Sequence, residues 1–172
     1  MDARKLWVVV GLLAATCAAL PARAQRRGTV EVGAFANAMD YDRDLHIREG
    51  IGAGARVGVF VARNWSAEVE GTLMRVDREG AGGVRVAPLY ARLGYTADVP
   101  GGRGMRAFFA GGVVRADYEF RRDLGLSGVL GTKLAAGDRF AARVEGTGEV
   151  MPGPRHWNTG LRLGLSLFES VR

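Results

Sequence analysis

The chain has 172 residues, a charged fraction of 24%, a formal net charge of +6 and a mean hydropathy of +0.01. That is a single-domain length and, by composition alone, the profile of a soluble globule. The basic residues are scattered, with no Lys/Arg run and no basic patch interleaved with aromatics, which speaks against a nucleic-acid partner.

The first residues change that picture. Arg4 and Lys5 precede an apolar run from Leu6 or Trp7 to about Leu20, and Pro21 is followed by Ala22-Arg23-Ala24. A basic start, a short apolar run and an A-x-A site make residues 1–24 a secretory signal, with cleavage expected before Gln25. The run is shorter than the roughly 20 residues of a spanning helix. Removal of 1–24 takes away three basic groups and one acidic, lowering the charge from +6 to +4. The single cysteine, Cys17, lies in this segment, so the mature chain, 25–172, has no thiol chemistry. A lipoprotein reading is disfavoured because Ala14-Ala15-Thr16 is a poor context before Cys17. No later apolar stretch is long enough for a spanning helix, so any membrane crossing must be made by a closed barrel.

From Gly28 onward the chain alternates with a period of two, the signature of strands whose successive side chains point to opposite faces. Strand one sets Val30, Val32, Ala34, Ala36 and Ala38 against Glu31, Gly33, Phe35 and Asn37. After a polar loop at about 39–49, strand two sets Ile51, Ala53, Ala55, Val57, Val59 and Val61 against Gly52, Gly54, Arg56, Gly58 and Phe60. A tight turn at 62–64 leads to strand three, with Trp65, Ala67, Val69, Gly71 and Leu73 opposite Glu68, Glu70 and Thr72. A loop at 77–83 precedes strand four, clear from Leu89 to Thr96. Its start is untidy: Arg85 falls on the apolar phase and Pro88 cannot donate to a ladder, so either a bulge resets the phase or the segment before Pro88 rises above the membrane.

The stretch 99–104, with Pro100, Gly101, Gly102 and Gly104, is the strongest breaker. Strand five is read with Phe108, Ala110, Gly112, Val114, Ala116, Tyr118 and Phe120 on the apolar face and Gly111, Val113, Arg115, Asp117 and Glu119 on the other. After 121–123, strand six sets Leu124, Leu126, Leu130 and Leu134 against Gly125, Ser127, Val129 and Lys133. A turn through Gly137-Asp138 opens strand seven, Phe140, Ala142, Val144 and Val150 against Arg143, Glu145, Thr147 and Glu149. After a loop at 151–156, strand eight sets Trp157, Thr159, Leu161, Leu163, Leu165 and Leu167 against Asn158, Gly160, Arg162, Gly164 and Ser166. Helical periodicity is absent, and glycines spread through these segments would each cost a helix roughly 1 kcal/mol.

Eight such segments describe an eight-stranded antiparallel up-and-down barrel. Three patterns put the charged face inside. Gly33, Gly52, Gly54, Gly58, Gly94, Gly111, Gly125, Gly131, Gly160 and Gly164 share the charged faces, where a narrow interior needs room beside long side chains. Trp65, Tyr95, Phe108 and Phe140 gather at one set of strand ends and Tyr118, Phe120 and Trp157 at the other, a double aromatic girdle. The turns at 62–64, 97–104 and 135–139 are mostly shorter than the opposite loops.

With these patterns the mature chain resembles the OmpA-like family of small outer-membrane β-barrels. In the last strand, Asn158, Gly160, Leu163 and Leu165 match the polar-x-Gly-x-x-apolar-x-apolar assembly signal of such barrels, although Phe168 is out of phase with the lipid face. The resemblance implies residence in the outer membrane, contact with its lipids and lipopolysaccharide, and assembly by periplasmic chaperones and the outer-membrane insertase. A monomer is expected.

The inward charges are then Glu31, Glu68, Glu70, Asp117, Glu145 and Glu149 against Arg56, Arg92, Arg115, Lys133, Arg143 and Arg162, with Glu119 at the rim. A balanced set in a narrow interior is expected to pair into a network that plugs the lumen, because an unpaired buried charge is strongly disfavoured. The alternative is a small-solute pore gated by an Arg that exchanges carboxylates. A further alternative is a soluble ligand-binding barrel with its apolar face inside. No enzymatic activity, metal or cofactor is expected. His46 and His156 fall in predicted loops, Ser127 and Ser166 are the inner strand serines, and Asp40, Asp42 and Asp44 fail the calcium-loop pattern because the sixth and twelfth positions do not fit. Loop arginines 43, 48, 78, 121, 122 and 155 are candidates for lipopolysaccharide phosphates.

Overall fold

In the computed structural model, residues 27–170 are described, apart from 43–44, 79, 81, 103 and 153–155. The expected signal segment, 1–24, lies outside them. Eight strands follow one another: β1 (Thr29–Asp40), β2 (Ile47–Phe60), β3 (Trp65–Arg78), β4 (Gly82–Asp98), β5 (Met105–Tyr118), β6 (Arg121–Ala135), β7 (Phe140–Met151) and β8 (His156–Ser170). Each pairs antiparallel with its neighbours in sequence, and β8 returns to β1 from Thr29↔Ser170 to Asp40↔Thr159, so the sheet closes. Closure leaves no unpaired edge. Both termini of the barrel lie at one end, here the terminal end; the other is the loop end.

Alternation has a direct physical result. The outer face carries Ile51 (75% exposed), Leu73, Leu130, Leu161 and Leu165, while the inner face buries ten charged side chains. From Trp65 to Leu73 on β3, or Trp157 to Leu167 on β8, the apolar outer band has the length of a tilted crossing of roughly 9–11 residues. Inward glycines are crowded and outward ones open. A Cβ at Gly54 would lie 2.5 Å from the Phe35 ring and one at Gly94 2.7 Å from Phe108, whereas Gly128 and Gly148, facing outward, have nothing within 4 Å. Arg56 uses the room so made: its side chain lies over Gly33 and Gly164 on the two neighbouring strands of the wall.

Two expectations are corrected, and of the two alternatives for the start of strand four the bulge is removed. Strand five has the opposite phase: Phe108, Ala110, Val114, Ala116 and Tyr118 are buried in the lumen, and Phe109, Gly111, Val113 and Arg115 face out. The run Phe108-Phe109 and the pair Val113-Val114 make both phases apolar, and the packing of Phe108 inside decides between them. Connection length does not distinguish the ends, because the strands continue into the expected loops: β3 and β4 are joined at 79–81 and β5 and β6 at 119–120, while the terminal-end turn 99–104 is long. Gly101 and Gly104 at positive φ (76° and 73°) turn the chain there. Finally, β4 holds one register from Tyr95 to Gly82 with no bulge. Its pairing with β3 skips Thr72–Leu73 against Ala87–Pro88, where Pro88 has no N–H to give, and Arg85 faces outward.

Candidate functional site

The lumen is filled in three layers. At the terminal end Phe60 and Phe168 pack at 6.3 Å with Ala141, beside Phe108, Ala110 and Val129. Phe168, out of phase with the outer leucines, points inward here. The Lys133 ammonium is enclosed by the rings of Phe60, Phe108 and Phe168, with centroids 5.4, 4.6 and 5.8 Å away. This aromatic floor faces a cation, an attractive arrangement through the ring quadrupole.

Above it lies the charge network, five carboxylates (Glu31, Glu68, Glu70, Glu145, Glu149) with five cations (Arg56, Arg92, Lys133, Arg143, Arg162). Glu31 accepts from Lys133 and Arg143, both at 2.7 Å. Arg143 also meets Glu145 and lies 3.5 Å from Glu68, whose other oxygen accepts from Ser66 at 2.9 Å. Arg56 joins Glu145 (2.7 Å) to Glu70 (3.4 Å), and Glu70 is the hub, touched by Arg92 and by Arg162 at 2.7 Å as well. Arg92 donates Nε to Ser127 Oγ at 2.7 Å. Glu149 closes the chain of contacts by accepting from Tyr90 (2.5 Å) and Asn158 (3.2 Å). Phe35 and Tyr90 lie under the guanidinium planes of Arg56, Arg92 and Arg162. Desolvating ten charges costs several kcal/mol per ion, and only dense pairing of this kind offsets it.

The third layer, at the loop end, is apolar. Met39, Tyr41, Leu45, Ile47, Met74, Val76, Val84, Val86, Val114, Ala116, Tyr118 and Met151 form one buried cluster with Tyr90. Tyr41 hydrogen-bonds the Met74 sulfur at 3.3 Å and packs edge-on against Tyr118. Burial among these side chains pushes the Tyr41 phenol well above its usual range. Sequence reasoning missed this apolar layer. The signal was there in Thr72, Met74 and Val76, where the inner phase of β3 continues past the charges but turns apolar.

Of the twelve residues expected to form the lumen network, ten lie in it. Arg115 and Asp117 do not: with β5 in the opposite phase both lie on the outer wall, where Asp117 pairs with Arg115 (2.9 Å) and Arg122 (2.6 Å). One acid and one base leave together, so the balance is kept. In the expected girdles, Trp65, Tyr95, Phe120, Phe140 and Trp157 are on the outer surface, but Phe108 and Tyr118 are inside. Phe109 takes the outer place, 5.3 Å from Tyr95, which is 5.1 Å from Trp65. In the expected assembly signal, Asn158 and Gly160 face the lumen and Leu163 and Leu165 face out.

His156 begins β8 and is buried, with Arg121 at 3.2 Å, rather than lying in a loop; Ser66 is a third inner strand serine. Asp42 accepts from the Trp157 backbone N–H at 3.0 Å and so ties the first loop to β8. Among the loop arginines, Arg78 stacks on Phe120 at 3.9 Å, Arg121 pairs with Asp123 at 2.7 Å and Arg122 with Asp117. Arg43, Arg155 and the Arg48 side chain lie outside the described residues.

No family model matches the chain, and no curated protein matches it. Solved structures do. Neisserial surface protein A matches with a TM-score of 0.60 and 11% identity, over 81% of this chain and 95% of that one. The outer membrane protein AlkL, solved in lipid bilayers, matches at 0.59 and 13%, over 88% and 96%. The outer membrane protein OprG of Pseudomonas aeruginosa matches at 0.58 and 11%, over 87% and 100%. The chain has the fold of the small outer-membrane β-barrels. At these identities the likeness is one of architecture, carried by alternation and closure rather than by shared residues.

Proposed function

We propose that the chain is an outer-membrane barrel, exported through its first 24 residues, with the terminal end in the periplasm and the loop end outward, and with a structural or surface-interaction role. The observation that carries this reading is the polarity of the wall. Leucines and valines face out and charges face in, the arrangement of a barrel solvated by lipid and the reverse of a soluble ligand-binding barrel. The aromatic ring residues Trp65, Tyr95, Phe109 and Phe140 at one boundary of the band and Phe120 and Trp157 at the other support it. The finer placement among OmpA-like barrels belongs to the same reading.

The network joins opposite walls of the lumen, so on this reading it acts as a plug and the barrel is not an open channel. A pore with exchanging ion pairs is the second reading, supported by the several partners of Glu70 and Arg143. Asn158, Gly160, Leu163 and Leu165 are proposed as the element presented to the insertase before β8 closes on β1. Outer-membrane lipids, lipopolysaccharide, chaperones and the insertase are then the partners, the barrel is a monomer, and no catalytic role is assigned.

Expression of the full chain in a Gram-negative host tests the reading. The expected product is a shortened chain in the outer-membrane fraction whose gel mobility changes on boiling; a soluble periplasmic product with no such change would overturn it.

A further inference from the structure

The outer wall has two unlike boundaries. At the terminal end the apolar band closes on Trp65, Tyr95, Phe109 and Phe140. At the loop end, the first outward residue beyond the band on four consecutive strands is an arginine: Arg75 after Leu73 on β3, Arg85 before Ala87 on β4, Arg115 after Val113 on β5 and Arg122 before Leu124 on β6. Two of them share one carboxylate, since Arg115 and Arg122 both hold Asp117. Arg75 and Arg85 are not. They are exposed, they are direct cross-strand partners, and among the described residues no carboxylate forms an ion pair with either guanidinium. The nearby Glu119 is turned to the backbone, accepting from the Arg85 N–H at 3.3 Å. Like charges directly opposite in a ladder are destabilising on their own.

The two arginines border a depression of about 1000 Å³ on the outer wall, lined also by Ile51, Leu73, Ala87, Asp117 and Glu119, beside the place where β3–β4 pairing is interrupted at Pro88. The site therefore joins two planar cations to apolar wall; the two carboxylates that also border it are engaged elsewhere, Asp117 by Arg115 and Arg122 and Glu119 by the Arg85 backbone. A free anion uses only the first part and an alkyl chain only the second. A guanidinium pair suits the oxygens of a phosphate, which it can grip bidentately.

We infer that Arg75 and Arg85 head a binding site for the phosphate of a lipid in the leaflet around the loop end, with the lipid's acyl chains lying on Ile51, Leu73 and Ala87. The inference rests on the membrane-spanning reading. It narrows the candidate phosphate contacts from the loops to one place on the wall, and it gives the opposed arginines a counter-ion.

The test uses the folded barrel in phosphatidylcholine vesicles carrying diphosphoryl lipid A or its dephosphorylated form, with bound lipid read by native mass spectrometry after extraction. Retention of the diphosphoryl form is expected to exceed that of the dephosphorylated form. It is expected to fall roughly fivefold for each of Arg75→Gln and Arg85→Gln, the size of one basic residue at an anionic lipid surface. The matched double variant R63Q/R139Q, at the terminal end, is expected to leave retention unchanged. Equal retention of the two lipid forms, or no loss in R75Q/R85Q, overturns the site. Competition by inorganic phosphate at the same concentration as lipid overturns its assignment to a lipid. A barrel that does not enter vesicles at all overturns the membrane reading, and the site falls with it; insertion without phosphate-dependent retention overturns the site alone.

Discussion

The middle and the loop end of the lumen are both filled, but by opposite physics. In the middle, Glu70 is shared by Arg56, Arg92 and Arg162, and each charge is tolerated only because its partners are present. At the loop end Met74, Val76, Val86, Val114 and Met151 pack without formal charge. A network of ions specifies partners and penalises every vacancy, whereas an apolar plug relaxes around a smaller side chain. The difference is in how each layer fails.

The largest expected effect is therefore in the middle. Glu70→Ala leaves three guanidinium groups short of a carboxylate and is expected to lower unfolding stability by about 3–5 kcal/mol, the usual result of removing one partner of a buried pair. Urea unfolding in vesicles, followed by tryptophan fluorescence, measures it. Adding Arg162→Met to that variant is expected to recover part of the loss, because an orphaned charge goes with it; strict additivity would mean that the two residues are not coupled. Met151→Ala in the plug is expected to cost about 2–5 kcal/mol, with the lower half favoured by relaxation toward the adjoining loop. Tyr90→Phe sits between the layers and removes the donor to Glu149, for an expected loss of about 1–3 kcal/mol. Arg122→Gln breaks an exposed pair on the outer wall and is expected to leave the unfolding midpoint unmoved. A large shift there would mean that the outer wall carries stability that the lumen is here assigned.

Much of this was legible in the residues. Strict alternation set the phase of β1, β2, β6, β7 and β8, and the inner glycines gave that alternation its direction. Two things were hidden. In β5 neighbouring apolar residues satisfy both phases, and only the rule that charge means lumen places Arg115 inside. That rule fails at the loop end, where the strands rise past the apolar band. There the outer face turns polar, which accounts for Arg75, Arg85, Arg115 and Asp117, and the inner face turns apolar, which accounts for the cluster around Met74 and Met151. Polarity along a strand thus depends on height as well as on phase, and one sequence without register gives only the phase. The network itself shows the same limit: its members could be named because they are charged, but Glu70 as hub depends on registers across β2, β3, β4 and β8 that no local pattern contains.

The claim that joins these points is that the folded lumen is closed. Planar-bilayer recordings of the refolded wild-type barrel test it most directly. The expected record is a flat baseline under applied voltage while heat-dependent mobility confirms that folded barrel is present; stable, reproducible conductance steps from the same folded protein would contradict the plugged lumen and favour the pore.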